Sequence, residues 1–250
     1  MKILVPVKQV PDPNAIRFDA SGSFAASTPR VVNEYDQYAI EEAIRLKEAG
    51  KADEVVVLTI GSTGARDAVN RGLAMGVDRG LLVSANELDL SAAAVAAVIS
   101  SEARAGGYDL VIVGQETSDG GSGNVGPQVA GMLDVPLVSN VVQLEAGDGT
   151  LTLGREVEDG RHIVETPLPA VVCALTGLNE PRSPSLKGIM AARKKPVEEK
   201  ALGDYDIPGA SASWGNLYAE ERVVEGTIIE TDAESAAQQV VALLREKKLI

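Results

Sequence analysis

The chain has 250 residues, enough to bury a substantial core in one large domain, and carries 36 acidic against 23 basic side chains, a formal net charge of −13. That balance argues against nucleic acid as the main partner, because a phosphate footprint calls for a basic face. One cysteine and one histidine leave no disulfide framework and no Cys/His zinc site. Cys173 lies in an apolar run and reads as a small core residue. His162 follows Asp159-Gly160-Arg161 and reads as an exposed turn residue. No serine occupies a GxSxG elbow. Two Phe, one Trp and five Tyr leave Val, Ile, Leu and Ala to build the core, which suits a parallel sheet covered by helices. The opening Met1-Lys2-Ile3-Leu4-Val5 reads as a strand rather than a signal peptide, and no apolar run approaches a membrane span, so a soluble, cytoplasmic protein without membrane insertion is expected.

Residues 3–10 are predicted as the first strand, stopped by Pro11 and Pro13. Residues 15–32 read as an excursion, a hairpin turning at Ser21-Gly22. Asn33 then precedes a helix with an apolar face of Tyr38, Ile40, Ala43, Ile44 and Leu46, ending at Gly50. A strand over 54–60 leads to a helix capped by Ser62 and terminated by Gly76. A strand over 78–84 and an Ala/Val-rich helix over 91–105 follow. Residues 110–113 form the next strand, apolar throughout as a buried parallel strand should be. It runs into a loop with glycines at 114, 120, 121, 123 and 126 and a helix over 125–133. Strands and helices alternating to about residue 141 predict right-handed crossovers and a doubly wound, mostly parallel α/β sheet.

The strand, glycine loop and helix start around residues 110–126 let backbone N–H groups face an anion. The helix dipole favours negative charge there, and glycine lets the main chain approach a phosphate. The turns after Val10, Ile60 and Val113 fall on one rim at the carboxyl ends of the strands, where open α/β sheets take ligands. Asn33 joins them if its segment folds over that rim. The spacing is neither a Walker loop nor GxGxxG, and VKQVPDP stands where a dinucleotide turn would be. On this pattern a nucleotide phosphate site and a glycine-rich surface turn are both open.

Beyond residue 141 the pattern becomes an antiparallel excursion, with strands over 143–146, 150–156 and 161–166 and turns at Gly147-Asp148-Gly149 and Asp159-Gly160. The apolar run 170–175 then rejoins the sheet. In LNEPRSPSLKGIMAARKKP, residues 178–196, Pro181 and Pro184 make an extended loop and Ser185 caps a short helix carrying Leu186, Ile189 and Met190. Arg193, Lys194 and Lys195 complement its C-terminal dipole. Either those apolar residues pack inward, or a leucine is displayed on a rigid loop for a partner. Residues 197–222 read as irregular, with Trp214 as an anchor, and 223–230 as a strand. Thr231 opens a last helix with Glu234 completing a capping box. Its stripe of Ala233, Ala237, Val240, Val241 and Leu244 must bury itself on its own sheet or on a second subunit. The expected organisation is a domain over 1–222 and a C-terminal arm over 223–250.

VKQVPDP, NEYDQYAIEEAIRLKE, LAMGVDRG, the glycine loop, REVEDG, PLPAVVCA and NEPRSPSLKGIMAARKKP together resemble the β subunit of electron transfer flavoprotein, over essentially the whole chain. NEPRSPSLKGIM is the most specific piece. The resemblance implies an adenine-nucleotide-binding α/β fold and a heterodimer with an electron transfer flavoprotein α subunit. In that family FAD, bound mainly by α, carries electrons from acyl-CoA-type dehydrogenases of fatty acid β-oxidation to an ETF-quinone oxidoreductase. It also implies an electron carrier rather than an enzyme, with an AMP in β, or a second FAD in electron-bifurcating members. The absence of a recognisable base, nucleophile or metal site in the sequence agrees with that role. A non-redox nucleotide-sensing module of the same α/β class is the alternative.

Carried over by motif, the resemblance places Pro6, Lys8, Asn33, Glu34, Tyr35, Asp36, Ile60, Gly114, Gln115, Asp119, Gly120, Gly121, Ser122, Gly123, Asn124 and Val125 around the nucleotide. Val125 has no hydroxyl, so a phosphate contact there comes from its N–H. Leu186 matches the leucine that docks into dehydrogenases, and Glu156 the carboxylate that tethers the mobile flavin domain of α. Tyr35 lies where an aromatic approaches the flavin.

Overall fold

Alternation of side chains along the central strands sets the architecture, and the computed structural model describes it for residues 1–19, 25, 27–86, 90–209 and 226–250. The first half of the chain runs β1 (Lys2–Pro6), β2 (Gln9–Pro11), β3 (Arg30–Val32), α1 (Glu34–Glu48), β4 (Glu54–Gly61), α2 (Arg66–Met75), β5 (Arg79–Ser84), α3 (Ala92–Gly106), β6 (Leu110–Gly114) and α4 (Val125–Leu133). The second half runs β7 (Leu137–Ala146), β8 (Thr150–Val157), β9 (Gly160–Pro167), β10 (Ala170–Ala174), α5 (Leu186–Ala192), β11 (Val197–Ala201) and α6 (Ala233–Glu246).

Successive strand residues point to opposite faces, and here both faces are apolar, as a parallel sheet covered on both sides demands. Ile3 and Val5, Val55 and Val57, and Leu110 and Ile112 enter one core, with Ile40 and Ile44 of α1 and Val69 and Leu73 of α2. Leu4, Val56, Leu58, Val111 and Val113 enter the other, with Val98 and Ile99 of α3 and Val129 of α4.

The nine-stranded sheet has the order β11-β5-β4-β1-β6-β10-β7-β8-β9. From β1 the chain steps outward to β4 and β5, and α3 then carries it back to β6 on the other flank of β1. The order reverses between β1 and β6, so this is the topological switch point, where the carboxyl ends of an open sheet receive ligands. β10 rejoins the sheet between β6 and β7 as expected. β7 starts earlier than its sequence pattern, because its first residues pair in parallel with β10 before its later ones pair antiparallel with β8. The sheet is thus doubly wound and mostly parallel, with an antiparallel excursion at one edge.

Several local expectations change. The first strand is broken after Pro6 because Lys8 turns its backbone away from the sheet: its N–H donates to Asp36 at 2.7 Å and its carbonyl accepts from the Asn33 N–H at 2.9 Å. β2 and β3 form an antiparallel ribbon whose first arm is residues 9–11, outside the hairpin expected over 15–32; the turn at Ser21-Gly22 lies outside the described residues. The helix expected from Ser62 opens with a 3-10 turn, Thr63–Ala65, before α2. Residues 197–201, expected to be irregular, are the edge strand β11, parallel to β5. Charged residues of this kind blunt an edge against further pairing. Lys200 also reaches Glu102 of α3, at 2.8 and 3.0 Å to its two oxygens.

The chain divides into two units, residues 1–217 and 218–250. In the second, Asp232 rather than Thr231 caps α6, accepting from the N–H groups of Glu234 at 3.1 Å and Ser235 at 3.0 Å. Residues 226–230 form no regular element, so the described part of the strand expected over 223–230 is absent. Trp214 lies outside the described residues.

Candidate functional site

The ends of β1, β4 and β6 and the first turns of α3 and α4 enclose a cleft of about 300 Å³ at the switch point, the lower end of the range for small-molecule sites. One wall is apolar, made by Leu58, Ile60, Val95, Ile99 and Val113. Most of the other lining residues belong to the segment Gly114–Gly126 after β6.

Three backbone segments meet on one buried carboxylate. Asp36, in the first turn of α1, accepts from the Lys8 N–H at 2.7 Å, from Asn33 Nδ2 at 3.0 Å and from the Gly114 N–H. Burial pushes its carboxyl up to about 7 against the opposing pull of those hydrogen bonds and of Lys8. Gly114 has no room for a side chain: a Cβ there would lie 2.2 Å from Asp36 Oδ1 and 2.9 Å from Tyr35 Cβ. Asn33 precedes α1 but does not cap it. Its buried side chain instead donates to the Glu116 carbonyl at 2.8 Å and accepts from the Ser118 N–H at 3.1 Å, pinning the glycine loop. Lys8 Nζ closes the rim on Asp119, 2.7 and 2.9 Å from its two carboxylate oxygens.

At the far end of that loop, Asn124 makes no side-chain cap for α4. The N–H groups of Val125 and Gly126 have no acceptor within the helix, and Pro127, next in the turn, has none to satisfy. Gly121 and Gly123 adopt left-handed φ values of 58° and 59° that place this helix start at the cleft. A Cβ on Gly126 would lie 2.5 Å from Cys173 Sγ and 3.0 Å from Val113, so α4 begins pressed on the sheet. Two amide donors without a helical acceptor, a positive dipole end and glycine-edged main chain fit an anionic group; the apolar wall fits a flat base.

Of the residues expected around a nucleotide, Pro6, Lys8, Asp36, Ile60, Gly114, Gln115, Gly120, Ser122, Gly123, Asn124 and Val125 line the cleft. Asn33 and Asp119 stand behind it as the anchors described above. Gly121 supplies the turn, Tyr35 is half-buried beside Gly114, and Glu34 is exposed. Sequence reading missed Leu90, Ala92, Val95 and Ile99, the α3 contribution. Its signal is Ser91, whose Oγ accepts from the Ala94 N–H at 3.2 Å and which puts another helix start on the same rim.

A second feature faces outward. Ser185 Oγ caps α5 by accepting from the Gly188 N–H at 3.0 Å, and Leu186 is 77 % exposed, Met190 64 % and Ile189 45 %. The displayed-leucine geometry therefore holds over inward packing. Lys195 does not serve the α5 dipole: its ammonium donates to the Leu73 and Val77 carbonyls, at 3.0 and 2.6 Å, at the C-terminal end of α2. Glu156 is exposed on β8, opposite Arg161 of β9. Cys173 is buried, with its thiol pushed up to about 12 by burial, and His162 is exposed, 3.7 Å from Asp159. Among the described residues no helix is long and apolar enough to cross a membrane.

Fold and cleft define a doubly wound α/β protein with a ligand-sized opening at its switch point. The family model described as the electron transfer flavoprotein domain matches residues 22–205. The chain is 40% identical over 210 residues to the electron transfer flavoprotein subunit beta of Bradyrhizobium diazoefficiens, covering 83% of this chain and 84% of that one. It is 34% identical to the subunit beta of Thermoanaerobacterium thermosaccharolyticum, over 100% of both chains. It is 33% identical to the caffeyl-CoA reductase-Etf complex subunit CarD of Acetobacterium woodii, again over 100% of both. The chain belongs to the electron transfer flavoprotein β-subunit family.

Proposed function

We propose that this chain is the β half of a heterodimeric electron carrier and that its switch-point cleft holds AMP. The start of α4, with no side-chain cap and set behind a glycine loop facing an apolar wall, carries that reading. The Val125 and Gly126 N–H groups receive the phosphate, Leu58, Ile60 and Val95 flank the base, and Asp36 and Asn33 hold the loop in place. The carrier takes electrons from acyl-CoA-type dehydrogenases and passes them to an ETF-quinone oxidoreductase. A relative named as part of a caffeyl-CoA reductase complex supports pairing with an enzyme that acts on a CoA thioester. FAD, held mainly by the α subunit, supplies one- and two-electron chemistry when bound. On the β side Leu186 docks the dehydrogenase, Glu156 tethers the flavin domain of α, and the apolar stripe of α6 packs on the partner subunit.

A ligand that binds only the folded state at 100 times its dissociation constant adds about 2.7 kcal/mol, a large share of a domain's margin. Stripping AMP is therefore expected to lower the melting temperature, and an unchanged melt after verified removal would count against a structural nucleotide. The deciding measurement is composition of the heterodimer purified with its α subunit. One FAD and one AMP are expected. Two flavins and no AMP would replace AMP by a second FAD and make the carrier bifurcating. A colourless product without adenylate would overturn the proposal.

A further inference from the structure

We infer that Arg182 is the positioning residue of the docking helix, fixing where Leu186 stands by clamping the preceding loop onto α1; the inference rests on the docking reading of α5. The guanidinium is shared between two carboxylates of one helix. Nε and Nη2 donate to Glu41 at 2.8 and 2.9 Å, while Nη1 and Nη2 donate to Glu48 at 2.6 and 2.9 Å. The Arg182 backbone N–H adds a further bond to Glu41 at 3.1 Å. Glu41 is buried, its side chain 4 % exposed, so removing Arg182 leaves a desolvated carboxylate whose other cation among the described residues is Arg45 at 3.5 Å. Asn179 adds a second hold, donating from Nδ2 to the Tyr38 carbonyl at 3.0 Å and to Glu42 at 2.9 Å.

The clamp acts on a segment with little else to fix its entry. Between Asn179 and α5 the chain is extended and broken by Pro181 and Pro184, and it forms no strand or helix. Downstream, α5 is fixed against the end of α2 by Gly188, where a Cβ would lie 2.3 Å from the Ala74 carbonyl oxygen, and by Lys195. The docking face is thus held at both ends, by Arg182 before it and by Gly188 and Lys195 within and after it. Arginine is the residue type this needs. Its planar fork bonds two carboxylates in fixed directions, whereas a lysine ammonium is a single point charge.

The test uses the heterodimer with its α subunit, reduced by a purified acyl-CoA dehydrogenase and its acyl-CoA substrate. R182A is expected to lower the second-order rate of flavin reduction about tenfold, the scale of losing one anchor contact. R182K is expected to stay nearer R182A than wild type, which separates geometry from charge. In an L186A background, R182A should cost no more than about twofold further, because residues acting through one contact are not additive. Amide exchange over residues 183–190 should speed up in R182A while flavin and adenylate content hold. Equal losses from R182A in both backgrounds, unchanged exchange, or loss of adenylate along with docking would overturn the inference. An L186A variant with a wild-type rate would instead overturn the docking reading itself. R182A at the wild-type rate while L186A is impaired would sink the Arg182 inference alone.

Discussion

Gly114 and Gly188 each sit against a neighbour that a methyl group would strike, Asp36 Oδ1 at 2.2 Å in one case and the Ala74 carbonyl oxygen at 2.3 Å in the other. The two contacts serve opposite geometries. At Gly114 close approach draws the end of β6 onto the start of α1, so that main chain converges on a small inward cleft. At Gly188 it seats a short helix on the end of α2, so that Leu186 and Met190 face away from the protein. The cleft depends on buried polar groups being satisfied; the outer face of α5 consists of apolar groups left uncovered. A substitution that damages one should therefore spare the other.

G114A tests this most severely. At the end of a central strand, its Cβ meets the buried, hydrogen-bonded Asp36 carboxylate and the backbone of α1, so a loss of about 3 kcal/mol is expected. Adenylate per heterodimer should fall with it. Chemical denaturation and nucleotide extraction on the same preparation measure both. A variant that keeps full stability and full adenylate would show that Asp36 and Gly114 do not brace the cleft.

D36N probes the same joint through pH. Burial raises the Asp36 carboxyl to about 7, so the folded protein holds the proton more tightly than the unfolded chain does. Stability from this group is therefore highest below its unfolded value near 4 and falls as pH rises, until it levels above about 7. Asparagine has no such slope. Between roughly pH 5 and pH 7 the wild type should lose on the order of 2 kcal/mol relative to D36N. Paired denaturant titrations across that range read the difference, and a flat one would mean that Asp36 stays ionised in the fold.

Much of the cleft was legible in the sequence because it follows from chain order. Alternating strands and helices put the turns after β1, β4 and β6 on one rim, and the glycine spacing marked the loop between β6 and α4. What escaped was decided by tertiary contact. Asn33 has the look of a helix cap, yet its side chain spans to Glu116 and Ser118, more than eighty residues away. The α3 wall escaped because Leu90, Ala92, Val95 and Ile99 look like any helix-start and core residues until the crossover places them. β11 escaped because VEEKA carries edge-strand charges in place of an apolar alternation. Lys195 was read as serving its own helix, but α2 offers it two carbonyls that α5 does not. The short helix α5 itself was visible through Ser185, since a local cap needs only local sequence. Its outward face was one of two readings left open, because exposure depends on what α2 leaves uncovered.

The smallest expected effects separate the display of α5 from its contents, and they sharpen the contrast with the cleft most directly. L186A removes the most exposed apolar side chain of α5 and leaves the helix in place, so stability should be unchanged and reduction by the dehydrogenase should slow about tenfold. G188A keeps Leu186 but lifts α5 off the Ala74 carbonyl. A seven-residue surface helix can shift at modest cost, about 1 kcal/mol, yet the shift moves Leu186 relative to the rest of the protein. If docking needs only an exposed leucine, G188A will reduce at the wild-type rate. If it needs that leucine in one position, G188A will slow transfer as L186A does while retaining the full adenylate that G114A loses.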